Sequence, residues 1–210
     1  MIECQSSLWY TFHDFKYNEV VGIVERLIRN IASYHPANEQ ETLDQKQMLA
    51  FLARNPDALE RNNQTAHFSA SGWIVNPSRS KVLLCYHKIY DSWSWTGGHA
   101  DGNGDLESVA IREALEETGV EAKPVHPGEI FSLETLYVMG HIKRGVYVPC
   151  HLHMNLTYLL EADDHLPLKI KEDENSGLRW FSIDDALRAS SEPWMVKWVY
   201  EKLVDKMIEK

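Results

Sequence analysis

One run in this chain combines residue type and spacing in a way that suggests chemistry: Arg112-Glu113-Ala114-Leu115-Glu116-Glu117-Thr118-Gly119. On a helix, Glu113, Glu116 and Glu117 stand at i, i+3 and i+4 and share an arc apart from the side swept by Ala110, Ile111, Ala114, Leu115 and Thr118. Like charges so placed destabilise an isolated helix by roughly 0.2 to 0.5 kcal/mol per pair, so something cationic should offset them. Carboxylate oxygens with no His or Cys among them suit Mg²⁺ or Mn²⁺ better than zinc. Arg112 precedes Glu116 by one helical turn and can hold that carboxylate through its planar fork. A solvated acidic face is the plainer reading of any such cluster. The preceding loop, Gly97-Gly98-His99-Ala100-Asp101-Gly102-Asn103-Gly104, shifts the balance, because paired glycines let backbone groups approach phosphate oxygens or a metal.

These residues need elements to position them. Asp105 stands where an N-cap belongs and Gly119 where a left-handed C-terminal residue belongs, which predicts a helix from Leu106 to Gly119. Strands are predicted at His67 to Val75 and Val82 to His87, joined by the turn Asn76-Pro77-Ser78-Arg79, then at Ile130 to Met139, Val146 to Leu160 and Leu178 to Phe181. Helical spacing predicts an amphipathic helix from Asn18 to Tyr34. Thr42 with Gln45 predicts a second helix to about Arg54, and Asn55-Pro56 a short third one toward Arg61. Ser182 with Asp185 opens a short helix to about Ala189, and Pro193 begins a final one. The expected organisation is a helical N-terminal extension over residues 1–62 and an α/β domain over 63–210, with a mixed sheet covered by helices. The apolar faces of the first helices must bury on the rest of the chain or across a homodimer interface.

The 210 residues carry a formal net charge of -10, which argues against binding a nucleic acid polymer through its backbone. An acidic protein can still act on a small polyanion when a divalent cation mediates the encounter. No apolar stretch is long enough to suggest a membrane span, and the first residues do not read as a signal peptide. Cys4, Cys85 and Cys150 are far apart and fit reduced, mostly buried thiols in the cytoplasm.

The sequence resembles the Nudix hydrolases. Their signature is Gly, five residues, Glu, seven residues, Arg-Glu, an aliphatic residue, any residue, Glu-Glu, any residue, Gly and an aliphatic residue. Gly98, Arg112, Glu113, Ala114, Glu116, Glu117, Gly119 and Val120 fall on it in register. The Gly, Arg, three Glu and final Gly would meet by chance on the order of once in 10⁵ chains of this length. The first signature Glu is replaced by Gly104, leaving Asp101 or Asp105 to substitute. The run His67 to Trp73, the wording of the glycine loop and Glu174 through Phe181 look like one bacterial branch of that family.

The resemblance implies an α/β/α sandwich with a mixed sheet, and hydrolysis of a phosphate anhydride in a nucleoside diphosphate-linked or nucleotide polyphosphate substrate. It implies that Glu113, Glu116 and Glu117, helped by the Gly97 carbonyl, hold Mg²⁺ or Mn²⁺. Arg112 would orient, and Glu116, Glu117 or an outside carboxylate would take the proton from water, with Glu174 ranked above Glu134 and Glu172. Gly98, His99, Trp95, His151, His153 and Tyr137 are expected to touch substrate. His151, His153 and Asn155 share one face of a strand and could equally be half-exposed sheet residues. Trp93 and Trp95 could stack a base or belong to the core. A different class of function, a nucleotide-sensing module without turnover, has no need of the intact Arg-Glu and Glu-Glu pairs.

Overall fold

The computed structural model describes residues 22–143, 145–173 and 175–208. Cys4 and Glu174 lie outside them, as do the first residues of the helix predicted from Asn18. The described part of that helix, α1, spans 22–33 and is followed by α2 (Glu39–Leu52). Helix α2 starts earlier than its sequence suggests. Its N-cap is Asn38, whose side chain accepts from the Glu41 N–H at 2.9 Å, while the hydroxyl of Thr42 is turned back onto the Asn38 carbonyl. The expected third helix is instead a series of turns, Ala58 to Asn55, Glu60 to Asp57 and Asn63 to Glu60. Neighbouring elements claim the backbone that would propagate it: the Ala58 carbonyl accepts from Phe68 and the Leu59 carbonyl from Gly102.

The sheet contains β1 (Ala66–Val75), β2 (Lys81–His87), β3 (Ser92–Ser94), β4 (Thr96–His99), β5 (Lys123–Pro124), β6 (Ser132–Val138), β9 (His151–Glu161) and β10 (Asn175–Ser182). The central path runs β10-β2-β1-β9-β5, with β1 and β9 parallel along their whole length and the other pairings antiparallel. The long strand expected from Val146 is broken at Pro149-Cys150 into β8 (Val146–Val148), which pairs with β7 (His141–Lys143), and β9. Both central strands change partners. Ile74 and Val75 of β1 pair with β2, whereas Ser69 to Gly72 pair with β4, and β2 passes in turn from β1 to β3. The sheet therefore divides into two branches between β2 and β4, and that division positions the site.

Strand alternation sends Phe68, Ala70 and Ile74 of β1 with Met154, Leu156 and Leu160 of β9 into one core. Leu27 and Ile31 of α1, Met48 and Leu52 of α2, and Leu106, Val109, Ala110 and Ala114 of α3 (Leu106–Thr118) cover it. On the other face Trp73, Val75 and Leu159 meet Ala186 of α4 (Ile183–Ala189) and Val199, Tyr200 and Leu203 of the C-terminal helix. That helix comprises Pro193–Met195, a wider π turn at Val196–Tyr200 and Glu201–Ile208. Helices on both faces of a mixed sheet make the expected α/β/α sandwich. The first helices are tied down by charge as well. Glu41, fully buried, accepts from Tyr34 Oη at 2.7 Å and Ser132 Oγ at 2.8 Å, and lies 3.3 Å from Lys202 and 3.0 Å from Lys206.

Candidate active site

Helix α3 ends as its sequence predicts, with Asp105 accepting from the Ser108 N–H at 3.3 Å and Gly119 left-handed at φ 72°. It packs on β1, β4 and β9. Its C-terminal half brings Arg112, Glu113, Glu116 and Glu117 to a cleft of about 1090 Å³, which Gly97 and Gly98 of β4 also line. The expected division of the helix needs one correction. Leu115 is exposed, whereas Glu117 is turned inward and is only 3% exposed.

Glu117 occupies the place where the sheet divides. Its Oε1 accepts from the Gly97 N–H of β4 at 2.9 Å, and its Oε2 accepts from Asn175 Nδ2 of β10 at 2.9 Å and from the Cys85 thiol of β2 at 3.2 Å. Burial raises its pKa and the charge of Glu113 adds to that rise, while the Gly97, Asn175 and Cys85 hydrogen bonds oppose it. The balance lies at about 7. A carboxyl poised there can hold or release a proton at neutral pH. Neither Cys85 nor Asn175 carries a motif in the sequence; only the fold brings them to the carboxylate.

Glu113 lies against the glycine pair. A Cβ on Gly98 would stand 2.3 Å from Glu113 Cδ, and one on Gly97 would stand 2.6 Å from Ser71 Oγ, so both positions need a bare backbone. Arg112 reaches Glu113 at 2.9 Å more closely than Glu116 at 3.7 Å, and Lys171 lies 3.4 Å from the other oxygen of Glu116. Three carboxylates on one wall, one of them buried and its charged form opposed by its surroundings, match the donor set that a hard divalent cation requires. In donor chemistry these residues suit Mg²⁺ or Mn²⁺, although the three carboxylates are not among the described groups whose ligand atoms converge within 4.8 Å.

Other expected participants are placed as follows. Asp101 is engaged by Arg61 at 2.6 Å and Asp105 by the helix N-terminus, so both candidates for the missing signature Glu have other partners. Glu134 is buried on β6, bonded to Thr157 at 2.7 Å and paired with Lys202 at 3.1 Å, and the Glu172 carbonyl accepts from Lys88. Asp173 lines the cleft and had no signal in the sequence beyond its charge. Trp95 reaches the cleft wall but is 8% exposed and packs edge-on against Tyr200 at 5.6 Å, while Trp93 packs on Phe181. Tyr137 is 62% exposed at the rim and donates to Cys150 Sγ at 3.1 Å. Cys150 is exposed, unlike the buried thiol expected there. His99, His151 and His153 line the cleft together with His67. Burial and the nearby Arg61 and His67 push His99 down to about 3, and burial among the other imidazoles pushes His153 well below its ordinary value.

A divided mixed sheet between helical layers, with a glutamate-bearing helix packed against a strand that carries a glycine pair, defines an α/β/α domain with an acidic cleft wall. A NUDIX domain family model matches residues 65–202, and the chain belongs to that family. It is 29% identical over 144 residues to "Nucleoside diphosphate-linked moiety X motif 6" of Xenopus laevis, a match covering 60% of this chain and 64% of that protein. The chain thus spans under two thirds of the length of that curated relative. Among solved structures it is similar to a hydrolase of the NUDIX family from Clostridium perfringens, with TM-score 0.48, 25% identity and coverage of 66% of this chain and 96% of that one. It is also similar to the C. elegans Ap4A hydrolase in a binary complex, with TM-score 0.48, 19% identity and coverage of 68% and 95%. No described helix is long and apolar enough to cross a membrane.

Proposed function

We propose that this protein hydrolyses a phosphate anhydride bond in a nucleoside diphosphate-linked or nucleotide polyphosphate substrate. The observation that carries the reading is the burial of Glu117 between Gly97, Cys85 and Asn175, which leaves a carboxyl near pKa 7 beside Glu113 at the wall of a cleft of about 1090 Å³. The name of the Xenopus relative supports the same substrate class.

Glu113, Glu116 and Glu117 would hold Mg²⁺ or Mn²⁺, with the Gly97 carbonyl as a further oxygen. When bound, such an ion lowers the pKa of water and neutralises charge on the phosphate. The chain's own residues do the rest. Arg112 braces Glu113 and Glu116 from one side and Lys171 holds Glu116 from the other, limiting how far these carboxylates can rotate. Glu116, half exposed beside the buried Glu117, is the signature carboxylate best placed to take a proton from water in the cleft, with Glu174, outside the described residues, as the alternative acceptor. The bare backbone of Gly98 lets the Glu113 carboxyl lie against it, and Tyr137 at the rim with the wall that holds His99, His151 and His153 would face the remainder of the substrate.

The helical segment before residue 63 is in this reading an extension that braces the domain through Glu41, Lys202 and Lys206. The deciding experiment incubates the full chain with a panel of nucleotides and nucleoside diphosphate conjugates, with and without Mg²⁺, and measures monophosphate and phosphate release. Hydrolysis that EDTA abolishes is expected. Tight binding of a nucleotide without turnover would instead establish a sensing module.

A further inference from the structure

Four histidines from three strands converge in the same cleft. His67 of β1 lies beside His153 of β9 in the parallel register, His151 lies on the same face of β9, and His99 ends β4 opposite Ser69. The ring centroid of His67 is 5.0 Å from that of His99 and 4.9 Å from those of His151 and His153. One ring nitrogen from each of the four lies within 4.8 Å of the corresponding nitrogen of the other three. Four imidazoles sharing so small a volume cannot all be charged, and the neutral ring is the form that ligates metals.

The ring orientations carry more information than the proximity. His67 Nδ1 lies 3.0 Å from the Asn63 carbonyl and His151 Nδ1 2.8 Å from the Pro149 carbonyl. A carbonyl can only accept, so both rings carry their proton on Nδ1 and present a lone pair at Nε2. Backbone carbonyls that fix the tautomer in this way are the usual outer support of metal-ligating histidines. His67 is 3% exposed, and its Nε2 has no hydrogen-bond partner among the described residues. An orphaned buried acceptor is costly. His151 Nε2 and His153 Nε2 are 3.1 Å apart, close to the roughly 3.3 Å separating two nitrogens bound to one tetrahedral zinc ion.

We propose that His67, His99, His151 and His153 form a second metal centre, selective for a borderline divalent ion of the zinc class. Four imidazoles and no carboxylate suit Zn²⁺, Co²⁺ or Ni²⁺ and are poor ligands for Mg²⁺, whereas the glutamates of α3 have the opposite preference. The protein thus separates two ions by donor chemistry within one cleft. His99 connects the centres, since it follows Gly98, whose backbone lies against Glu113. An ion held by the histidines adds positive charge to the wall facing a polyanionic substrate. The centre needs no substrate to form, so it stands or falls separately from the proposed hydrolysis.

The test uses the full chain stripped of metal and titrated with Co²⁺ and Zn²⁺ under excess Mg²⁺, which fills any carboxylate site. One Co²⁺ per chain is expected, with intense visible bands, and X-ray absorption of the zinc-loaded protein should show imidazole nitrogens at about 2.0 Å. His99→Gln, at the more open edge of the cluster, should weaken uptake by at least about tenfold, and Glu117→Gln should leave it unchanged. No uptake under excess Mg²⁺ overturns the proposal, as does an oxygen-only ligand shell or uptake lost in Glu117→Gln. The absorption measurement on the unmodified chain decides the matter even if a histidine variant fails to fold.

Discussion

Ile23 stands where the side chain of residue 104 would have to go: a Cβ on Gly104 would lie 2.1 Å from Ile23 Cγ2. The departure of Gly104 from the signature thus has a steric cause. Helix α1 closes over the glycine loop, and the glutamate expected at that position has no room. Gly104→Glu should destabilise the fold by roughly 1 to 3 kcal/mol through overpacking, and a Gly104→Glu, Ile23→Ala double variant should recover much of that loss. Urea unfolding of the two single variants and the double variant measures the coupling. Strictly additive losses would mean that the two residues do not compete for space.

Replacing Glu117 by Gln removes the charge while nearly preserving shape. Activity should fall at least about a hundredfold, as expected when an ion-holding carboxylate is lost from such a site. Steady-state hydrolysis under saturating Mg²⁺ reads this directly.

The same carboxyl makes a pH prediction. Its pKa is raised in the fold from 4.5 to about 7, so the folded state binds more protons than the unfolded chain between those values. Its stabilising contribution is complete below about pH 4.5 and is lost as pH rises through about 7, an effect on the order of 3 kcal/mol. Without divalent cation, the melting temperature of the unmodified protein should fall relative to Glu117→Gln as pH rises across this window. Mg²⁺ should reverse the fall. Calorimetric titration with Mg²⁺ in buffers of different ionisation enthalpy should show proton release near pH 6 and little near pH 8.5.

Asn175→Ala removes one of three donors that oppose the rise in the Glu117 pKa. The acid limb of the pH profile for kcat/KM should move to higher pH, whereas a purely structural effect would lower the rate uniformly at all pH values.

Glu41 presents the reverse linkage. Burial alone would raise its pKa, but Lys202 and Lys206 outweigh burial and hold it at about 2. Its contribution is present above about pH 4.5 and is lost as pH falls toward 2. Lys202→Met leaves the buried acid short of a partner and should cost about 3 to 5 kcal/mol, measurable by chemical unfolding. Hydrolysis per folded molecule should be unaffected.

Local rules made much of the fold legible. The Asn76 turn, the Asp105 and Ser182 caps, the left-handed Gly119 and helix α3 are each specified by a few adjacent residues, and each formed as read. The third helix failed because Phe68 and Gly102 capture the carbonyls at Ala58 and Leu59, which no local pattern reveals. The cap at Asn38 prevailed over Thr42 because Glu41, held by two lysines from the far end of the chain, anchors that turn.

By itself the sequence determined which side chains a hard cation would need and set them at helical spacing, because that information lies within a dozen consecutive residues. Only the tertiary structure decided which of them is buried. Glu117 is turned inward by Gly97, Cys85 and Asn175, from three strands far apart in the chain, and His67 reaches His99, His151 and His153 through strand register. Burial and register follow from long-range pairing in a divided sheet, and these set both the proton affinity of the carboxyl and the grouping of the imidazoles.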